Sequence, residues 1–181
     1  SCVVRGSRVG VAVLWFVVSA ATAVAQDPTA WLQWRGPTRD GLLPAGALPE
    51  KLSEERLRES WRVELGPGYP GPIIVDDRVI VAETREAKDE VVRALDRATG
   101  KQLWEVAWPG AMKVPFFANR NGDWIRATPA CDGETLYVAG MLDVLVALDV
   151  ATGQERWRVD FPAQLKTPPP DFGFASSPLV A

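Results

Sequence analysis

The sequence predicts an all-β protein, a β-propeller of four-stranded antiparallel blades. Three observations predict it. A thirteen-residue motif occurs twice, 53 residues apart, with 8 of 13 positions identical. Two short apolar runs joined by turn formers precede each copy. A third unit of the same kind opens near residue 172.

The motif runs from Ala94 to Val106 and returns from Ala147 to Val159. In each copy a β-rich run, Val91 to Leu95 or Val144 to Leu148, enters a turn. Asp96 and Asp149 can accept backbone N–H bonds within that turn. Gly100 and Gly153 supply a left-handed backbone position without a Cβ penalty. Thr99 and Thr152 precede them, and Trp104 and Trp157 follow in the outgoing strand. A flat side chain repeated once per unit suits packing between adjacent sheets.

Earlier in each unit lie the other two strands. Pro72 to Val75 and Arg78 to Ala82 flank Asp76-Asp77. Thr128 to Cys131 and Thr135 to Ala139 flank Asp132-Gly133-Glu134, where Asp-Gly is a favoured hairpin turn. The blades therefore span roughly 72–108 and 128–161. Four-stranded units at this period mark propeller blades. An ordinary β-sandwich has no reason to reuse one turn and one tryptophan.

The pattern A-x-D-x-x-T-G-x-x-x-W, carried by Ala94, Asp96, Thr99, Gly100 and Trp104 and again by Ala147, Asp149, Thr152, Gly153 and Trp157, resembles the tryptophan-docking motif of the pyrroloquinoline quinone (PQQ)-like propeller repeats. The resemblance covers residues 58–181. It implies the fold and not a ligand, because non-enzymatic and enzymatic relatives share the motif. Trp61 to Leu65 is similar to Trp157 to Phe161 but has no turn motif before it, so residues 58–65 are expected to complete the last blade, whose other strands would lie beyond residue 181. The sequence is thus expected to be the N-terminal piece of a larger ring.

Residues 1–25 are expected to be a signal peptide. Arg5 and Arg8 precede an apolar run from Gly10 to Ala20, and Ala23-Val24-Ala25 is a small-x-small cleavage site. That run is shorter than the roughly 20 residues of a spanning helix. This places the protein in the periplasm or outside the cell, the alternative being an uncleaved membrane anchor. Residues 26–57 form an N-terminal arm. Its Trp31 to Gly41 stretch resembles the W-x-Q-W-R-G-P-x-R-D-G opening of exported PQQ-like proteins, and its aromatics are expected to pack on the propeller. Leu52 to Arg58 is expected to make one helical turn.

Composition narrows the function. The formal net charge is −3, with no basic run, which disfavours nucleic acid as a partner. There is no histidine to serve as base or metal ligand. The two cysteines, Cys2 and Cys131, are not adjacent, and only Cys131 lies outside the expected leader. No metal site is expected. Asn119-Arg120-Asn121-Gly122-Asp123 lacks the acidic first position and the closing Glu of a calcium loop.

Binding residues are expected on the loops between blades, at 66–71, 109–127 and 162–176. The second is the richest, with Asn119, Arg120, Asp123, Trp124 and Arg126 as candidate contacts for a planar anion or a peptide. The expected function is a binding or scaffold module of the cell envelope, with a protein, peptide or glycan partner. The alternative implied by the resemblance is a PQQ-dependent alcohol dehydrogenase, which would take PQQ with calcium. The adjacent cysteine pair of many such enzymes is missing, and no catalytic or cofactor-binding residue can be assigned from the sequence. A third class is a sensor head on a membrane receptor.

Overall fold

The computed structural model describes residues 30–43, 51, 53–55 and 57–180, apart from the side chains of Asn119 and Asn121. The expected signal peptide, 1–25, lies outside the described residues, as does the start of the arm. Among the described residues no helix is long and apolar enough to cross a membrane.

Two four-stranded antiparallel sheets dominate. The first has the order β1 (Ile73–Val75), β2 (Arg78–Arg85), β3 (Asp89–Asp96) and β4 (Gln102–Pro109). The second repeats it with β5 (Ala130–Cys131), β6 (Thr135–Ala139), β7 (Val144–Asp149) and β8 (Glu155–Asp160). Sequential up-and-down strands of this kind are propeller blades. The core lies between the two sheets. Ile73, Ile80, Val92 and Trp104 of the first pack in one cluster with Leu136, Val138, Val146 and Leu148 of the second.

In β4 the period of two turns Trp104 and Trp108 inward and leaves Leu103 and Glu105 outside or partly outside. Opposite Trp104 sits Ala94, as Ala147 sits opposite Trp157. A small residue there leaves room for the indole of its neighbour. Both blades break register just after that alanine, at Ala94/Leu95 and Ala147/Leu148. The shared irregularity sends the chain into the motif turn.

The turn is built the same way twice. Asp96 Oδ1 accepts from the Thr99 amide and hydroxyl at 2.8 and 2.6 Å. Asp149 Oδ1 accepts from the same two groups of Thr152 at 3.0 and 2.9 Å. Gly100 and Gly153 have φ of 71° and 75°, and a Cβ on either would sit 2.7 Å from a tryptophan ring. For Gly153 that ring is Trp104 of the preceding blade, whose indole N–H donates to the Val150 carbonyl at 3.0 Å. For Gly100 it is Trp61, which donates to Arg97 O at 2.9 Å.

Among the described residues neither 58–65 nor 172–180 makes a strand pairing, although Phe174 N–H donates to Met141 O at 3.1 Å. The strands expected to flank both segments would lie beyond residue 181, so neither expectation is tested. Trp61 still reaches the turn of the first blade. The turn expected near Leu52 is present as one bond, from Leu57 N–H to Ser53 O at 3.0 Å. A five-residue helix, α1 (Phe161–Leu165), follows β8, capped by the Asp160 carboxylate.

Two buried carboxylates tie neighbouring units together. Glu90 on β3 accepts from the Trp108 indole at 2.9 Å and from the Met141 amide of the second blade at 2.6 Å. Burial pushes its carboxyl above the usual range, partly offset by these two donors and by Arg158. Glu83 on β2 accepts from Gly66 N–H at 2.7 Å and pairs with Arg85 and Arg93.

Candidate ligand site at the loop end

The arm enters the molecule beside the innermost strands. Trp31 and Ile74 exchange two backbone bonds of 2.9 Å, and Leu32 O accepts from Cys131 N–H at 2.8 Å. Ala30 to Leu32 thus bridges β1 and β5, covering the exposed edges that inner strands would otherwise present. The chain then reverses through Gln33 to Gly41, held by Gly36 N–H to Gln33 O at 3.0 Å and Gly41 N–H to Arg35 O at 2.9 Å. Gln33 is buried and donates to Pro37 O. This reversal holds Trp34 outward, with the Arg35 and Arg39 guanidinium groups 5.4 and 5.5 Å from its ring.

Three loop regions meet it there. Tyr69 comes from 66–71, anchored by its amide to Ile125 O at 2.9 Å. Arg126 and Thr128 come from the stretch leading into β5, and Ser177 from beyond α1. With Trp34 and Arg39 they line one cavity of about 340 Å³. Arg126 stands 5.4 Å over the Tyr69 ring and donates to Gly122 O at 3.1 Å. Its buried Nε–H has no acceptor among the described residues. Thr128 Oγ1 accepts from Gly71 N–H, and Ser177 Oγ accepts from Thr128 N–H, both at 3.0 Å.

The five loop candidates separate in space. Arg126 lines the cavity. Trp124 stands behind it, 5.8 Å from the Tyr69 ring. Asp123 instead accepts from Val114 N–H at 2.9 Å, which holds the loop's own backbone. Arg120 is exposed on a 3-10 turn, Phe116–Asn121, and does not line the cavity. The side chain of Asn119 lies outside the described residues. Trp34, Arg39, Tyr69, Thr128 and Ser177 were not singled out by the sequence. The available signal was the arm's pairing of an outward tryptophan with two arginines, Arg35 and Arg39.

Two of the loops also carry an exposed aromatic group. Phe116 and Phe117 meet edge to face at 5.6 Å, and Phe117 meets Phe172 of the third loop at 6.0 Å. Phe116 is 85% exposed and Phe117 69%. Cys131 is buried, and burial pushes its thiol up to about 11, so it is no nucleophile at neutral pH. Among the described residues no three His, Cys, Asp or Glu side chains converge to hold a metal ion.

Two four-stranded blades joined by the docked Trp104, with the turn of the first meeting Trp61 in the same way, define a β-propeller repeat protein. The family described as outer membrane protein assembly factor BamB matches residues 87–181, more than half of the chain. The chain belongs to this family of PQQ-like β-propeller repeats. A stretch of 110 residues is 36% identical to the serine/threonine-protein kinase AfsK of Streptomyces griseus, covering 61% of this chain and 12% of that protein. BamB from Moraxella catarrhalis is 27% identical with a TM-score of 0.42, over 55% of this chain and 26% of that one. A europium-containing methanol dehydrogenase is 18% identical with a TM-score of 0.52, over 75% of this chain and 23% of that one, a likeness of fold alone. The chain therefore spans about a quarter or less of the length of each of these relatives.

Proposed function

We propose that this chain belongs to an exported, non-catalytic propeller whose loop end binds a protein, peptide or glycan partner in the cell envelope. The observation that carries this is the group Phe116, Phe117 and Phe172, contributed by two different loops and left open to solvent. Contiguous exposed aromatics of this kind mark interaction sites. Membership of a family described by an assembly factor of the outer membrane supports an envelope role. The test is binding of the full-length protein to peptide and glycan arrays. Phe117→Ser is expected to weaken the bound partner at least about tenfold with an unchanged melting curve. Equal binding by the variant would reject the reading.

A second reading is a sensor head on a receptor, supported by the 36% identity to a protein named as a kinase. A mature N-terminus at Gln26 would count against it. The dehydrogenase alternative asks for PQQ with calcium. This cavity is not where calcium would be held, since no carboxylate lines it among the described residues. Dye-linked alcohol oxidation by the full-length protein on adding PQQ and calcium would restore that alternative.

A further inference from the structure

We propose that the cavity between the arm and the loops is a carboxylate-binding subsite, taking one carboxylate on a flat apolar body. This rests on the binding reading above and adds the chemistry of the bound group. Among the described residues no carboxylate lines the cavity. Arg62, Arg78, Arg85, Arg93, Arg156 and Arg158 each pair with a carboxylate. Among the described residues Arg39 and Arg126 do not. Arg39 holds the Pro178 carbonyl at 2.9 Å and, weakly, Gln33 Oε1 at 3.4 Å, while Arg126 donates to the Gly122 carbonyl and stands over the Tyr69 ring. In a chain with net charge −3, two guanidinium ions share one cavity with no carboxylate among its described lining residues.

The hydroxyls point the same way. Thr128 Oγ1 and Ser177 Oγ each accept a backbone N–H, which leaves the hydroxyl hydrogens to donate. The orphaned Nε–H of Arg126 costs free energy that an acceptor oxygen at the guanidinium edge would recover. Guanidinium binds carboxylate through parallel charge-assisted bonds. Trp34 and Tyr69, stacked with Arg39 and Arg126, bring aromatic surface to the same cavity, against which a flat ligand body can pack. A cavity of about 340 Å³ suits a ligand the size of one aromatic residue. The carboxylate can arrive on a free small molecule or as the C-terminus of a peptide.

Calorimetric titration of the full-length protein separates these sources. The probes are phenylacetate, its neutral isostere phenylacetamide, and a peptide ending in Phe with either a free or an amidated C-terminus. Phenylacetate is expected to saturate below about 10 mM. Phenylacetamide, and Arg126→Gln or Arg39→Gln with phenylacetate, should each bind at least about tenfold more weakly, with unchanged melting curves. A preference for the free-carboxylate peptide over the amidated one assigns the source as a chain terminus. Binding of phenylacetate without binding of either peptide assigns a small molecule and removes the peptide form of the binding reading. Equal binding of phenylacetate and phenylacetamide, or of neither, overturns the subsite. If the amidated peptide also binds, and loses affinity in Phe117→Ser but not in Arg126→Gln, the subsite falls and the binding reading stands.

Discussion

The two docked tryptophans use one geometry with different support. Trp104 belongs to a paired strand, is 9% exposed, and sits on the second blade's turn with Trp108 four residues on. Trp61 makes the same bond to the first blade's turn from chain with no sheet around it. The two docking contacts share the kind of turn they meet and the position of the carbonyl that accepts the indole N–H. The turns differ as well. Asp149 is clamped by Arg156 at 2.7 Å, while the position 53 residues earlier is Leu103, so Asp96 has no such partner.

Substitutions at the junctions break the comparison in order of size. Trp104→Ala removes a buried indole and leaves a cavity between blades, with an expected loss of about 3–5 kcal/mol by chemical denaturation. Trp61→Ala should cost clearly less, since its ring is only partly covered. Equal losses would mean that the sheet around Trp104 adds nothing to its docking. Gly153→Ala comes next, with an expected cost of about 1–3 kcal/mol from its positive φ and the Trp104 ring above it. Gly100→Ala should follow Trp61, and in the Trp61→Ala background most of its steric part should vanish, leaving the backbone part.

Acidity sharpens the contrast between the carboxylates. Glu90 is raised by burial. Between the ordinary carboxylate range and its raised folded value, the folded protein keeps a proton that the unfolded chain has released. Its contribution is fully present below the unfolded value and is lost as pH rises through the folded one. Asp149 is lowered to about 2, first by Arg156 and then by Thr152. Its contribution is present above 3.8 and is lost as pH falls through about 2. Denaturation midpoints across pH should therefore lose a falling slope in Glu90→Gln and an acid-side rise in Asp149→Asn. Arg156→Leu, which copies the first blade's residue, should give the smallest change of all, because the pair is largely open to solvent.

The motif turns were legible in the sequence because their chemistry is local. Asp accepts from Thr three residues on, and glycine takes the positive φ, whatever surrounds them. The docking of Trp61 was legible as a likeness to Trp157, and the Trp61 indole makes the matching bond to the first blade's turn. The length of β2 and β3 was hidden by their turn, where Glu86 and Ala87 take φ of 53° and 49° without glycine. The cavity could not be read from one stretch. Its residues come from the arm, from the approach to β1, from the approach to β5 and from beyond α1, and only the fold brings Arg39 to Arg126. Glu90 gave no local signal either, as its partners lie 18 and 51 residues away.

The strap formed by Ala30 to Leu32 has a use at the bench. Cys131 donates its backbone N–H to Leu32 and keeps its thiol buried with a raised pKa. A thiol reagent at neutral pH should react with it only when that edge opens. The rate of Cys131 modification is thus an intrinsic clock for detachment of the arm, readable by mass spectrometry without any introduced probe.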